Sequence, residues 1–329
     1  NKFKSILQKN YCKFFLTNSL RQIFYKNSLT ISPWEKSFKD FIICGGNHSI
    51  SIVSLKDKTS TQILKYNYNP KFIVNSINIR NQYPELPIPK IYDYSIKENW
   101  VKQEWINGIP INRIKNNKHL KENINNLDSA MMDLYNKTKK KEQISEWFLK
   151  TTENIKKNIY DLPDVFDKSI KEELIQITIV ISKLFLNKSS YSKFIYTSIT
   201  HGDYNGSNII FADDKKYKHK IFLIDWDYVD SRFFLYDFLV YKLNVRSTKN
   251  LAKTFLKFLK NNINFNYDKN IFPEFIYDEF DTSEILGLFL LEDISVRVLE
   301  NQIPNLKKIN KDLLNYLSEI KKFILWYEK

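Results

Sequence analysis

The sequence predicts an α+β protein in which a small antiparallel sheet precedes a larger, mainly helical part. Three observations carry this. Between Phe41 and Tyr66 apolar and polar residues alternate as in strands, interrupted by Gly45-Gly46-Asn47-His48 and by Lys56-Asp57-Lys58-Thr59. From 111 onward the apolar residues recur at helical spacing, as in Ile124, Leu127, Met131, Leu134 and Tyr135. A polar cluster, His201 to Asn208, interrupts the helical pattern and leads through a short apolar strand to Asp225. Strands first and helices after is the order of an α+β chain.

Taken in order, residues 1–40 read as a helical N-terminal extension, with Phe3, Ile6, Leu7, Phe14 and Phe15 set among lysines. Over 1–26 this basic amphipathic pattern suits either peripheral contact with an anionic membrane or packing on its own domain, and the second is expected here. Ile50 to Leu55 alternates, and Gln62-Ile63-Leu64-Lys65 reads as the next strand. Pro70 to Tyr83 reads as a helix. Pro87 to Tyr94 and Trp100 to Gly108 read as two more strands. The stretch 111–198 reads as helical, with Met131 and Met132 as core residues and Lys137 to Lys141 as a solvated charge run. The C-terminal 247–329 also reads as helical, with a helix starting at Asp281-Thr282-Ser283-Glu284 and running toward Arg297.

The chain of 329 residues is 43% hydrophobic and 15% aromatic, which excludes a disordered segment. Its formal charge of +14 invites a nucleic-acid partner, but the lysines are scattered and no zinc-finger, helix-turn-helix or RRM pattern organises them. Nucleic acid is therefore not expected as a partner. A strongly basic protein repels a polycation at long range, so the charge favours a neutral or anionic small molecule. Cys12 and Cys44 are too few for a disulfide framework or a thiolate metal site, which suits a reducing cytoplasm. No apolar run approaches the roughly 20 residues that span a bilayer, and charges stand where an export signal needs its apolar core.

The central motif is His201-Gly202-Asp203-Tyr204-Asn205-Gly206-Ser207-Asn208, or H-G-D-x-x-x-x-N, followed by Ile224-Asp225-Trp226-Asp227-Tyr228. Phosphoryl transfer with magnesium asks for such a set. One carboxylate orients the attacking hydroxyl and accepts its proton. An amide oxygen and a second carboxylate hold the metal that neutralises the phosphates. At these residues the chain resembles the aminoglycoside phosphotransferase and choline kinase superfamily, the small-molecule relatives of protein kinases. Gly202 stands where protein kinases carry Arg, and Asp225-Trp226-Asp227 where they carry D-F-G. No A-P-E stretch or activation loop follows, which favours a small hydroxylated acceptor.

The resemblance implies a two-lobed protein-kinase-like fold, with an N-lobe at 41–105 for the nucleotide and a C-lobe at 106–329 for catalysis and the acceptor. It implies ATP and Mg2+ as cofactors, Asp203 as the catalytic acid–base residue, and Asn208 with Asp225 at the metal. Gly45, Gly46, Asn47, His48 and Ser49 match the loop over the phosphates, where glycine lets backbone N–H groups approach closely. Lys65 matches the strand lysine that steadies them. The backbone of Gln103 to Ile106, Glu104 and Ile106 included, matches the hinge that meets adenine. Tyr236-Asp237-Phe238 matches the family's Y-D-L, whose Asp bonds backbone. Arg232 is expected either to meet an anionic acceptor or to pair with Asp230. Glu284, Glu292 and Asp293 fall where relatives line the acceptor pocket, although helix ends and surface pairs explain them equally well.

One departure is plain. Relatives pin the strand lysine with a Glu on the following helix, and no Glu lies between Lys65 and Glu85. Asn75 or Asn78 takes that place, or a carboxylate arrives from elsewhere. Two function classes follow: an ATP- and Mg-dependent phosphotransferase acting on a sugar, an envelope glycan intermediate or an amino alcohol such as choline, or a nucleotide-binding pseudokinase that serves as an interaction module. An aminoglycoside is the acceptor that the charge disfavours.

Overall fold

A computed structural model describes residues 41–46, 48–115, 120–212, 217, 221–260, 280–304, 306 and 309–329. Two compact units divide at residue 41, and all that follows concerns the second, Ile42–Lys329, with Phe41 at its edge. The expected extension at 1–40, its membrane contact through 1–26, and Asn47 lie outside the described residues.

Five strands open the fold: β1 (Phe41–Gly45), β2 (Ser49–Ser54), β3 (Thr59–Leu64), and, after helix α1 (Lys71–Gln82), β4 (Ile91–Ser95) and β5 (Trp100–Glu104). They form one sheet in the order β1-β2-β3-β5-β4. The alternation sets its faces. Ser60 and Leu64 of β3 and Val101 of β5 are buried, and Leu64 and Val101 share a core with Phe72, Ile73 and Ile77 of α1. Lys58 at φ 53° and Asn99 at φ 57° supply the left-handed turns that close the β2–β3 and β4–β5 hairpins.

A short strand, β6 (Gly108–Pro110), leaves the sheet and enters the helical lobe, which continues through α2 (Leu120–Thr138), β7 (Lys140–Gln143), α3 (Ile144–Tyr160) and α4 (Lys168–Phe185). Then come β8 (Phe194–Thr200), β9 (Ile209–Ala212), β10 (Ile221–Leu223) and β11 (Asp230–Phe233), followed by α5 (Tyr236–Lys242), α6 (Leu251–Lys260), α7 (Thr282–Glu300) and α8 (Lys311–Tyr327). Two small antiparallel sheets, β10-β9-β6 and β11-β8-β7, sit between the helices. The stretch expected to be helical over 111–198 thus contains two strands. The charge run explains the first: Lys140 and Lys141 are exposed on β7, at the edge of its sheet, where lysines face water and discourage further pairing.

Helix α7 is the spine of the large lobe. It is buried on most sides, with Leu286, Leu288, Phe289, Leu290 and Leu291 fully buried, and it packs on α3 and α4. Its start is a capping box: Asp281 Oδ1 accepts the Glu284 N–H at 2.7 Å, and Glu284 Oε2 accepts the Asp281 N–H at 3.1 Å. The fold is α+β and two-lobed.

Candidate active site

The loop after β8 carries His201 to Asn208, and buried groups fix it from behind. Asp237, at the start of α5, accepts the N–H of His201 at 2.6 Å and the Tyr135 hydroxyl at 2.9 Å on Oδ2, and the N–H of Gly202 at 2.9 Å on Oδ1. Asp237 is therefore a scaffold group for this loop. His201 is fully buried. Its Nε2–H donates to Ile224 O at 2.9 Å and its Nδ1 accepts the Asp203 N–H at 3.1 Å, which sets the tautomer. Burial lowers its pKa, so a neutral ring ties the loop to the strand before Asp225.

Asp203 is held by amides and one cation. Asn205 Nδ2 donates to Oδ1 at 2.9 Å, Asn208 Nδ2 donates to Oδ2 at 2.8 Å, and Arg246 Nε lies 2.5 Å from Oδ1. Asn208 Nδ2 also donates to Asp203 O at 3.0 Å. Its NH2 group is thus spent on Asp203, and its amide oxygen is the atom left for a cation. The Asn208 carbonyl accepts the Ile224 N–H at 2.9 Å, so the residue after Ile224, Asp225, enters beside it.

Asp225 adopts a left-handed backbone, φ 67° and ψ 59°, a conformation that costs an L-residue and is tolerated best by Asn and Asp. Asp225 is exposed on one side, with the protein close behind it. That crowding, then the charge of Asp203, pushes its pKa up to about 6. Two residues on, Asp227 is buried, and burial and the Asp225 charge hold its pKa well above the carboxylate range. The two carboxyls thus raise each other as one acidic pair. An acidic, crowded floor of this kind is relieved by a cation, and a carboxylate plus an amide oxygen fits magnesium, which takes few protein ligands beside phosphates and water. Among the described residues no three His, Cys, Asp or Glu gather as a metal cage.

Above this floor lies the sheet. Gly46 closes the turn into β2 through its N–H to Ser49 O at 2.9 Å. His48 turns inward: its ring stacks on Phe72 at 4.0 Å, and its Nε2 shares a hydrogen bond with the Tyr228 hydroxyl at 3.0 Å. Burial, then the Lys65 charge, drops its pKa to about 4, so it is neutral near pH 7 and its 3.7 Å approach to Asp227 is not an ion pair. Lys65 stands just past the end of β3, with Nζ donating to Gly46 O at 2.6 Å. The α1 side of β3 instead presents Gln62, whose Nε2 donates to Ser49 Oγ at 3.0 Å and reaches Asp227 Oδ2 at 3.5 Å. The pinning contact expected of α1 takes another form: Asn75 Nδ2 donates to the carbonyls of Asp227 and Val229, both at 3.0 Å. Helix α1 thereby grips the Asp225 loop rather than a lysine.

At the hinge, the Glu104 N–H donates to Lys90 O at 2.8 Å and the Trp105 N–H to Lys58 O at 2.9 Å, so neither is open to a ligand without breaking a bond of the sheet lobe. Ile106 packs with Ile210, Ala212 and Phe222, against which Ile224 also rests. This apolar shelf lies beneath the hinge. Arg232 is buried, donates to Thr200 Oγ1 at 2.9 Å and lies over the Tyr236 ring, while Asp230 pairs with Lys71 at 2.9 Å. The three acids assigned to the acceptor region have partners within the fold. Glu284 caps α7 and binds Lys193 at 2.6 Å, Glu292 accepts the Trp147 indole N–H at 3.0 Å, and Asp293 accepts the Tyr236 hydroxyl at 3.2 Å. Gln62, Arg246 and Glu300 belong to the site and carry no motif that the sequence could have flagged.

With this geometry in view, three solved structures are informative. The choline kinase LicA from Streptococcus pneumoniae is 14% identical, covering 88% of this chain and 96% of that one, with a TM-score of 0.57. The GDP complex of aminoglycoside 2'-phosphotransferase-IIIa is 12% identical over 94% of this chain and 99% of that one, with a TM-score of 0.51. ADP-bound aminoglycoside phosphotransferase APH(2'')-Ib is 14% identical over 86% and 91%, with a TM-score of 0.50. The chain has the kinase-like fold of these proteins. No family profile matches it, and no curated protein matches it by sequence. The likeness is therefore one of fold: a five-stranded sheet lobe followed by a helical lobe.

Proposed function

We propose that the protein transfers the γ-phosphoryl group of ATP to a hydroxyl of a small molecule. The observation that carries the reading is the disposition of Asn208: its NH2 group is committed to Asp203, which leaves its amide oxygen as the atom for a cation, and its backbone carbonyl takes the N–H of Ile224, the residue before Asp225. An amide so oriented serves a base on one side and a cation on the other. Asn208 and Asp225 would hold magnesium, which when bound neutralises phosphate charge. Asp203 Oδ2, with one amide donor, has room to accept the acceptor's O–H. As the bond from the acceptor oxygen to the γ-phosphorus forms, the bond from that phosphorus to the β,γ-bridging oxygen breaks. The hydroxyl proton passes to Asp203, and ADP leaves. The Gly45-Gly46 turn and Lys65, whose Nζ rests on Gly46 O, form the cover over the phosphates, with His48 and Ser49 turned inward beneath it, and Ile106 with Ile210 and Ile224 forms the adenine shelf.

The acceptor classes that suit the +14 chain are a sugar or glycan intermediate, or an amino alcohol such as choline, ahead of an aminoglycoside. The test is ATP turnover against choline, ethanolamine, hexoses and streptomycin. Asp203→Ala should keep nucleotide affinity within about twofold and lose turnover by about a hundredfold or more. Turnover of that variant at the wild-type rate rejects the role given to Asp203.

A second reading is supported by Gln62 on the α1 side of β3 and by the absence of any acid on α1. In it the protein binds nucleotide without transferring phosphate and acts through a partner. Saturable ATP binding with no turnover on any acceptor of the panel would favour it.

A further inference from the structure

Arg246 joins three parts of the large lobe. It follows α5, its Nη2 donates to Gly202 O at 2.9 Å, and its Nη1 donates to Glu300 Oε1, the last residue of α7, at 2.7 Å. Its Nε lies 2.5 Å from Asp203 Oδ1 as an ion pair rather than as an aligned hydrogen bond. The side chain is 15% exposed, and Glu300 is steadied in turn by Arg297 Nη1 at 3.9 Å.

Asp203 has an uneven set of partners. Oδ1 faces both Asn205 Nδ2 and the guanidinium, whereas Oδ2 receives only Asn208 Nδ2. A carboxylate held by two amides can still rotate about its last bond. A planar cation fixed at its far end by Gly202 O and Glu300 removes that freedom. We propose that Arg246 is a positioning residue for phosphoryl transfer: it turns the Asp203 carboxylate so that Oδ2 faces the acceptor hydroxyl, and through Glu300 it ties that orientation to the end of α7. The proposal rests on the phosphotransferase reading of Asp203 and adds to it a residue outside both motifs. A lysine cannot replace it, because one ammonium lacks the span to meet Asp203, Gly202 O and Glu300 together.

The experiment uses the full chain with MgATP and whichever of choline, ethanolamine, hexose or streptomycin the wild type phosphorylates. Arg246→Lys should lower kcat by about 10- to 100-fold with KM for ATP within about twofold, since misplacing a reacting group costs chemistry and not nucleotide binding. Arg246→Ala should lose more, and added guanidinium should restore part of its kcat. Either variant turning over within about twofold of wild type overturns the proposal, as does a rise in KM for ATP that accounts for the whole loss. Should Arg246→Ala not fold, Arg246→Lys alone decides. Absence of turnover by the wild type on every acceptor overturns the phosphotransferase reading and this proposal with it, whereas an active wild type with indifferent variants overturns this proposal alone.

Discussion

Gly202 has φ +85°, and an added Cβ would lie 2.4 Å from Tyr228 O and 2.7 Å from Tyr228 Cβ. Neither atom can withdraw without moving the turn that follows Asp225. Gly202→Ala should therefore destabilise the fold by at least about 1 kcal/mol and cut turnover more than a surface glycine would, as paired unfolding and activity measurements will show. At this scale the sequence was legible where chemistry dictates spacing. Asp203, Asn208 and Asp225 converge because five residues of loop and one strand pair bring them together. Gln62 and Arg246 were not legible for different reasons. Which side chain of β3 faces α1 is set by the pairing register: Ser60 and Leu64 are inward, Gln62 shares their face, and Lys65 falls past the end of the strand. Arg246 is brought to Asp203 by the packing of α5 and α7, which no local pattern records.

Elements meet where small residues or caps allow it. In α7, a Cβ on Gly287 would come within 2.5 Å of Phe185 Cβ and 3.7 Å of its Cα, so the obstacle is the root of the side chain in α4 and not a movable tip. Gly287→Ala gains about 1 kcal/mol of helix propensity but overpacks the α4–α7 contact by about 1–3 kcal/mol. A net loss of thermal stability is expected, with little change in KM for ATP because the contact is remote from the cleft. An unfolding midpoint at or above the wild-type value would show that the two helices can part. The start of α7 was readable from Asp281 and Glu284, since a capping box is a local device. The strand β7 was not, because an edge strand rich in lysine looks like any solvated run until its partner is known. Helix α1 was readable as a helix, yet its grip on the Asp227 and Val229 carbonyls through Asn75 is a tertiary contact, invisible to periodicity.

Across the described residues, three sheets and the helices between and around them enclose buried acids, and these make stability depend on pH. Glu292 joins three elements: it accepts the Trp147 indole N–H of α3, lies 3.4 Å from the Phe233 N of β11, and belongs to α7. Burial, only partly offset by the Arg232 charge, pushes its pKa from 4.5 to about 7. A raised acid binds its proton more tightly in the folded state than in the unfolded one. Below the unfolded value both states are protonated and nothing is lost. Between about 4.5 and about 7 the folded state holds a proton that the unfolded state has released, so stability falls as pH rises, and above that window the loss is complete. Glu292→Gln keeps an acceptor for Trp147 and removes the titration. Relative to wild type it should be least favourable near pH 4.5 and gain steadily to pH 7.5, by about 3 kcal/mol at most. Taking the difference between the two proteins at each pH cancels the other titrating groups, among them Asp128, which burial likewise raises to about 6. Denaturant titrations across that range give the slope directly. A difference that stays flat with pH would mean that Glu292 is ionised in the fold at pH 5, with Arg232 holding its charge after all.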